Sequence, residues 1–112
     1  MVLFLVPFEG GNLKPCKPKQ IPLKSQQTLK VALRQLREGA RAKTFADNMA
    51  MEYRIGARVV ARHDFIEGVR AVIIDKDNAP KWNPATLEGV TDAALDAIFA
   101  PLPPGEEWTP LP

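Results

Sequence analysis

Apolar residues recur at helical spacing in four segments of the chain. The first segment opens at Ser25 and continues to Gly39, a residue type that often follows a helix C-terminus. Spacings of four and three place its leucines on one face: Leu29, Leu33 and Leu36. The second segment opens at Thr44, and Asp47 three residues later would complete a capping box. No segment alternates convincingly as a strand would, so the protein is predicted to be mostly α-helical.

The third segment, residues 65–74, carries the most informative pattern in the sequence. Asp64 precedes it, and Glu67 follows three residues later, which predicts a second capping box. Its apolar residues fall on one helical face: Phe65, Val69, Val72 and Ile73. The fourth segment is short, begins after Thr91 and stops before Pro101. Four short amphipathic helices predict a small bundle, whose apolar stripes could equally dock on another surface.

The two ends of the chain differ from this helical middle. Four prolines and four lysines fall within residues 1–24, which predicts an irregular lead-in. Residues 101–112 form a proline-rich tail that we expect to be extended. The single cysteine, Cys16, excludes an internal disulfide and fits a reducing compartment. The opening apolar run is too short for a membrane span and lacks signal-peptide features, so a cytoplasmic location is the default.

The composition offers little material for a self-contained active site. A net charge of +2 is too small to indicate a nucleic acid or membrane partner by itself. One serine and one histidine, Ser25 and His63, lie in different segments, and no nucleophile pattern surrounds the serine. A tetrahedral zinc site fails on the number of ligands. The acidic run from Asp75 lacks the glycine and closing glutamate of a calcium loop. We therefore predict no catalytic residue, no metal site and no cofactor.

Two rows of arginines are spaced as helix faces. One row contains Arg34, Arg37 and Arg41, and the other contains Arg54, Arg58 and Arg62. Such rows could bind phosphates of a nucleic acid or of a nucleotide-like cofactor. A solvated face opposite the apolar stripe is the simpler interpretation.

The residues from Asp64 to Asp77, followed by Pro80-Lys81-Trp82, closely resemble the C-terminal region of 3-hydroxyisobutyryl-CoA hydrolases. These enzymes belong to the enoyl-CoA hydratase/isomerase (crotonase) superfamily. The resemblance covers about residues 25–100, and the stretch from Glu67-Gly68-Val69-Arg70-Ala71 to Asp75-Lys76-Asp77 carries most of it. It divides the chain into the lead-in 1–24, a helical C-terminal region 25–100 and the tail 101–112.

The resemblance implies an acyl-CoA thioester hydrolase of valine catabolism, with a spiral core followed by a helical C-terminal region. That core would supply the oxyanion hole and the catalytic carboxylates, and residues 1–24 do not resemble it. The chain is therefore expected to be a C-terminal fragment, inactive alone and able to meet its substrate only with the rest of the fold. Four residues are expected near the acyl pocket or the CoA phosphates: Phe65, Lys76, Lys81 and Trp82.

Several questions about partners and location stay open from the sequence. The helical region would belong to a homo-oligomer or to a separately encoded core, with no membrane partner and no nucleic acid expected. A eukaryotic source would imply a mitochondrial location. The alternative function is a free-standing helical module that binds a protein or nucleic acid through its apolar faces or its arginine rows.

Overall fold

A computed structural model describes residues 8–9, 12–13 and 23–111. Two strands, β1 (Phe8–Glu9) and β2 (Asn12–Leu13), precede four helices. The helices are α1 (Gln26–Gly39), α2 (Phe45–Val59), α3 (His63–Val69) and α4 (Asp92–Phe99). A π-helical turn, Arg70–Ile74, continues directly from α3. The described part of the chain is mostly helical, as the hydrophobic pattern predicts.

The strands lie in the segment for which the sequence predicts no regular element. They pair antiparallel, with Phe8 opposite Leu13 and Glu9 opposite Asn12. The sequence between them is Gly-Gly, which is typical of two-residue hairpin connections. The signal is short, and the prolines that surround it favour an irregular interpretation. The rest of the expected lead-in, and with it Cys16, lies outside the described residues.

Three of the four helices begin where local hydrogen bonds predict. Ser25 Oγ accepts a hydrogen bond from Thr28 N at 3.1 Å and caps α1. Thr44 and Asp47 form the predicted capping box at the start of α2, with both reciprocal bonds present. Thr91 caps α4 in the same way. Each cap satisfies a backbone N–H that has no partner inside the helix.

The predicted cap of the third helix is wrong. The helix begins at His63, one residue before the expected cap, and no side chain caps it. Asp64 and Glu67 lie inside the helix and bind other partners. The π-helical turn is closed by Asp75 N, which donates to Arg70 O at 2.8 Å. The following loop contains left-handed residues, Lys76 (φ 56°) and Asn78 (φ 51°), which end the helix before Pro80.

The hydrophobic core lies between α1, α2, α4 and the loop that precedes α4. Its buried members are Val31, Ile55, Val59, Val90, Leu95, Ile98 and Phe99, with Met51 packed against them. Lys30 ties this core to the loop before α4, because its ammonium donates to Val90 O at 2.8 Å. Among the described residues, no apolar side chain of α3 belongs to this cluster. The third helix is therefore held to the body by other contacts.

Candidate functional site

A pocket of about 490 Å³ lies between α1, α2, α3 and the loop that follows the π-helical turn. Most of its wall is apolar. The apolar lining includes Val59, Val60, Phe65, Val72 and Trp82. The polar side chains of Ser25 and Asp64 also reach it. A mostly apolar pocket with a few convergent polar groups is the usual form of a small-molecule site.

The structure brings two of the four expected site residues together. Phe65 and Trp82 both line the pocket. Lys76 and Lys81 lie outside its lining, and both are exposed. Within the described residues, neither lysine ammonium makes an ion pair. The two aromatic residues therefore belong to one site, and the two lysines stay candidates for a charged ligand group at its exterior.

The first turns of α3 hold the backbone on both sides of Trp82. Glu67 Oε1 accepts from Lys81 N at 2.8 Å, and His63 Nε2 donates to Lys81 O at 2.9 Å. On the other side, Asp64 Oδ1 accepts from Asn83 N at 2.8 Å. These contacts fix the loop against the helix. We call this set of three side chains, His63, Asp64 and Glu67, the α3 clamp.

The Trp82 ring itself is also anchored. Its Nε1 donates to Leu23 O at 3.0 Å, which joins the loop to the residues before α1. The ring lies above Gly68, where an added Cβ would be 3.4 Å from Cη2. Hydrogen bonds to the backbone on both sides of Trp82 and to its indole N–H therefore hold the ring in one position at the pocket. These contacts anchor the loop that carries Trp82.

Asp64, in the pocket lining, is bound to the residue that caps α1. The residue is 4% exposed, and its Oδ2 accepts a short hydrogen bond from Ser25 Oγ. Ser25 in turn caps α1, so one carboxylate links a helix start, the third helix and the tryptophan loop. The partner of Asp64 is 39 residues away in the sequence. Local pattern alone could not find this pair.

Arg70, at the end of α3, makes ion pairs with three carboxylates. It makes a two-point ion pair with Glu67, at 2.7 and 2.9 Å. Its Nη1 lies 2.7 Å from both Asp75 Oδ2 and Asp77 Oδ2. These contacts raise the pKa of the Arg70 guanidinium and lower the pKa of the Asp77 carboxyl. The arginine thereby fixes the left-handed loop next to the α3 clamp.

The pKa of Glu67 falls to about 2, first because Arg70 donates to its carboxylate and second because Lys81 N does so. A carboxyl with a lowered folded-state pKa stabilises the protein above its ordinary pKa, and this stabilisation disappears as the pH falls toward 2. We therefore expect the free energy of unfolding to drop between pH 5 and pH 2. Glu67→Gln should show a shallower drop, measured by urea unfolding at several pH values. The exposed Glu88→Gln is the matched control, and equal slopes for wild type and Glu67→Gln would contradict the assignment.

The arginine rows contact the protein itself. Arg34 pairs with Glu38 and Asp96, each at 2.6 Å, and its guanidinium lies 4.6 Å from the centroid of the Phe99 ring. Arg54 pairs with Glu107 at 2.8 Å. The guanidinium groups that would bind phosphate are therefore already paired with carboxylates of the protein.

The remaining partners of the second row are neutral groups. Arg58 donates to the carbonyls of Ile98, Ala100 and Pro101, which closes the end of α4. Arg62 donates to the side-chain oxygen of Gln27 at 2.9 Å. Four of the six arginines thus contact protein groups, and their side chains are partly buried. Regular spacing revealed the row but not its partners.

No helix in residues 23–111 has both the length and the apolar content that crossing a bilayer requires. The same residues contain no group of three or more His, Cys, Asp or Glu side chains arranged to hold a metal ion.

The sequence and the fold of the chain are similar to those of known proteins. The chain belongs to the enoyl-CoA hydratase/isomerase family, whose profile matches residues 16–99. Within that family it is similar to 3-hydroxyisobutyryl-CoA hydrolases. It is 53% identical over 78 residues to the mitochondrial 3-hydroxyisobutyryl-CoA hydrolase of Gallus gallus, and 49% identical over 94 residues to that of Homo sapiens. The predicted resemblance is confirmed.

The matched part is a minor share of each relative. The chain spans 20% of the Gallus gallus protein and 24% of the human one, while 70% and 84% of this chain is covered. A crystal structure of a carnitinyl-CoA dehydratase from Mycobacterium thermoresistibile superposes with a TM-score of 0.68 at 38% identity. That match covers 77% of this chain and 24% of the other. A structure of an enoyl-CoA hydratase from Rhodobacter sphaeroides gives the same TM-score at 33% identity.

Proposed function

We propose that this chain corresponds to the C-terminal helical region of a 3-hydroxyisobutyryl-CoA hydrolase and forms one wall of its acyl-CoA site. Identity of about half the aligned residues to curated hydrolases of this name carries the proposal. The helical region assigned is residues 25–100, and the family profile begins before it, at residue 16, within the expected lead-in 1–24. Residues 101–112 lie outside the profile match. We also propose a mitochondrial location if the source is eukaryotic and a cytoplasmic one otherwise, since the names of these relatives place them in mitochondria.

Phe65 and Trp82 are proposed to contact the acyl group. Both line an apolar pocket, and the α3 clamp holds Trp82 in a fixed position. Apolar walls exclude water and strengthen polar interactions with a reacting thioester. Lys76 and Lys81 are proposed to face the CoA phosphates, because exposed ammonium groups bind phosphate as mobile point charges.

Within residues 23–111, the side chains near the pocket that could take part in thioester hydrolysis already have partners. The reaction needs donors that stabilise the oxyanion and a carboxylate or imidazole that handles a proton. Within residues 23–111, the carboxylates nearest the pocket already have partners: Asp64 binds Ser25 and Asn83, and Glu67 binds Arg70. The single histidine, His63, contacts the Lys81 carbonyl. We therefore propose that the chain is inactive by itself.

The direct test is thiol release from 3-hydroxyisobutyryl-CoA. The isolated chain is expected to release no more CoA thiol than buffer. A chimera tests the positive part of the proposal, with residues 16–99 replacing the matching segment of human 3-hydroxyisobutyryl-CoA hydrolase. The chimera should hydrolyse the thioester. Turnover by the isolated chain, or an inactive chimera that is folded, would contradict the proposal.

Substitutions in the chimera test the individual residues. Phe65→Ala and Trp82→Ala should each lower kcat/KM by about 10-fold, since they remove apolar contact with the acyl group. Lys76→Ala and Lys81→Ala should raise KM with little change in kcat. Phe45→Ala is the matched control, because Phe45 is 79% exposed and lies outside the pocket lining. Equal kinetics for Phe65→Ala and Phe45→Ala would remove Phe65 from the site.

A further inference from the structure

Gly56 lies in the interior of α2 and also lines the pocket. Glycine inside a helix is unfavourable compared with alanine, because its backbone loses more conformational freedom on folding. A glycine at such a position is usually explained by a special backbone conformation or by close packing.

Neither explanation holds for Gly56. Its backbone is helical, and among the glycines that the structure describes only Gly105 has a positive φ. Outside the backbone of α2 and the two chain neighbours, no atom of the described residues lies within 4 Å of a Cβ added at Gly56. A Cβ added at Gly89, by contrast, would lie 2.7 Å from Pro84 Cβ. Packing therefore explains Gly89 but leaves a free space at Gly56.

The free space at Gly56 belongs to the pocket. Gly56, Val59 and Val60 are spaced three and four residues apart on one side of α2, and all three line the pocket. Phe65 and Trp82 line it from α3 and from the loop after the π-helical turn. The α3 clamp binds the backbone on both sides of Trp82, so this ring is held away from the space. The protein leaves the space beside the two valines open to a ligand.

We propose that Gly56 is a specificity-determining residue of the acyl pocket, where its missing side chain leaves room for an aliphatic branch of the acyl group. This inference rests on the proposed function. The neighbouring lining on α2 is apolar, so an alkyl branch fits there better than a hydroxyl, which would lose its hydrogen bonds to water. A larger side chain at this position would fill the space and exclude the branch. An unbranched acyl group would still enter.

Thermal melts of the 112-residue chain test whether the space is free. Gly56→Ala should raise the melting temperature by about 2–5 °C, since alanine is the better helix former and its Cβ would meet no neighbouring atom. Ala57→Gly, at the next and exposed position of α2, should lower the melting temperature by a similar amount. A melting temperature of Gly56→Ala at or below that of wild type would show that packing requires the glycine, and would overturn the proposal.

Acyl selectivity tests the proposal in the chimera, in which residues 16–99 replace the matching segment of the human hydrolase. One substrate is 3-hydroxyisobutyryl-CoA, which carries a methyl branch, and the other is 3-hydroxypropionyl-CoA, which lacks it. Gly56→Leu should lower kcat/KM for the branched thioester at least ~10-fold more than for the unbranched one, because one carbon in an apolar pocket changes selectivity by about 10- to 200-fold. Ala57→Leu is the matched control and should keep the wild-type ratio. Equal ratios for Gly56→Leu and Ala57→Leu would overturn the assignment.

Thioether analogues separate this proposal from the proposed function. In these analogues a CH₂ group replaces the thioester carbonyl of each substrate, so they bind without being hydrolysed, and calorimetry gives Kd even for an inactive chimera. An active chimera whose ratio of Kd values is unchanged by Gly56→Leu would overturn the specificity role and leave the function standing. An inactive but folded chimera in which Gly56→Leu weakens binding of the branched analogue alone would support the specificity role and contradict the function. An inactive chimera that binds neither analogue would overturn both.

Discussion

Asp64→Ala is expected to lower the free energy of unfolding by about 3 kcal/mol. The substitution removes a buried carboxylate that accepts hydrogen bonds from Ser25 Oγ and Asn83 N. Each hydrogen bond to a charged group contributes about 1.5–3 kcal/mol, and the two donors would be left without a protein partner. Urea unfolding followed by circular dichroism measures the loss. For a domain with so small a core, the loss is a large part of the total stability.

The same substitution should also release the tryptophan loop. Asp64 and Glu67 bind the backbone on either side of Trp82, so removal of the Asp64 contact leaves the loop backbone bound on the Lys81 side only, beside the indole hydrogen bond to Leu23 O. In a Trp108→Phe background, where Trp82 is the only tryptophan, we expect its fluorescence emission to move to longer wavelength. Asp64→Asn keeps the shape and one acceptor oxygen, so it should show a smaller loss and a smaller shift. Equal stability of Asp64→Ala and wild type would show that Asp64 does not join α1 to the loop.

Helix starts were predictable from sequence because their determinants are local. Ser25, Thr44 and Thr91 each bind a backbone N–H three residues away. A side chain at that spacing has few competing partners, so the pattern and the contact agree. The same rule failed at Asp64 and Glu67, whose spacing fits a capping box. Their partners, Ser25 and Arg70 among them, come from the tertiary arrangement and the next helical turn, and these interactions are stronger than a cap.

The sequence indicated the aromatic residues of the candidate site but not the side chains that hold its tryptophan loop in place. Phe65 and Trp82 were identified by resemblance, and the pocket contains both. The contacts that position Trp82 come from His63, Asp64 and Glu67, which lie 14 to 19 residues from the backbone groups of Lys81 and Asn83 that they bind. Periodicity also placed Phe65 and Val72 on one apolar face, and both residues line the pocket in the structure. The pattern gave no sign that Ile73, on the same predicted face, is 65% exposed, since an amphipathic pattern does not say which neighbour covers each residue.

Ile98→Ala is expected to lower the free energy of unfolding by about 3–4 kcal/mol, the largest effect of a single substitution in the core. Ile98 is fully buried and packs in the cluster formed by α1, α2 and α4. Truncation removes apolar contact and leaves a cavity that the short helices fill only partly. Urea unfolding or a thermal melt measures the loss.

Ile73→Ala is the matched control, because the chemical change is the same and Ile73 is 65% exposed. Its cost should stay below about 0.5 kcal/mol. A large loss at Ile98 beside a small one at Ile73 would show that Ile73, in the π-helical turn, contributes little to folding of the isolated chain. Equal losses at the two positions would instead place Ile73 inside the folded core of this chain.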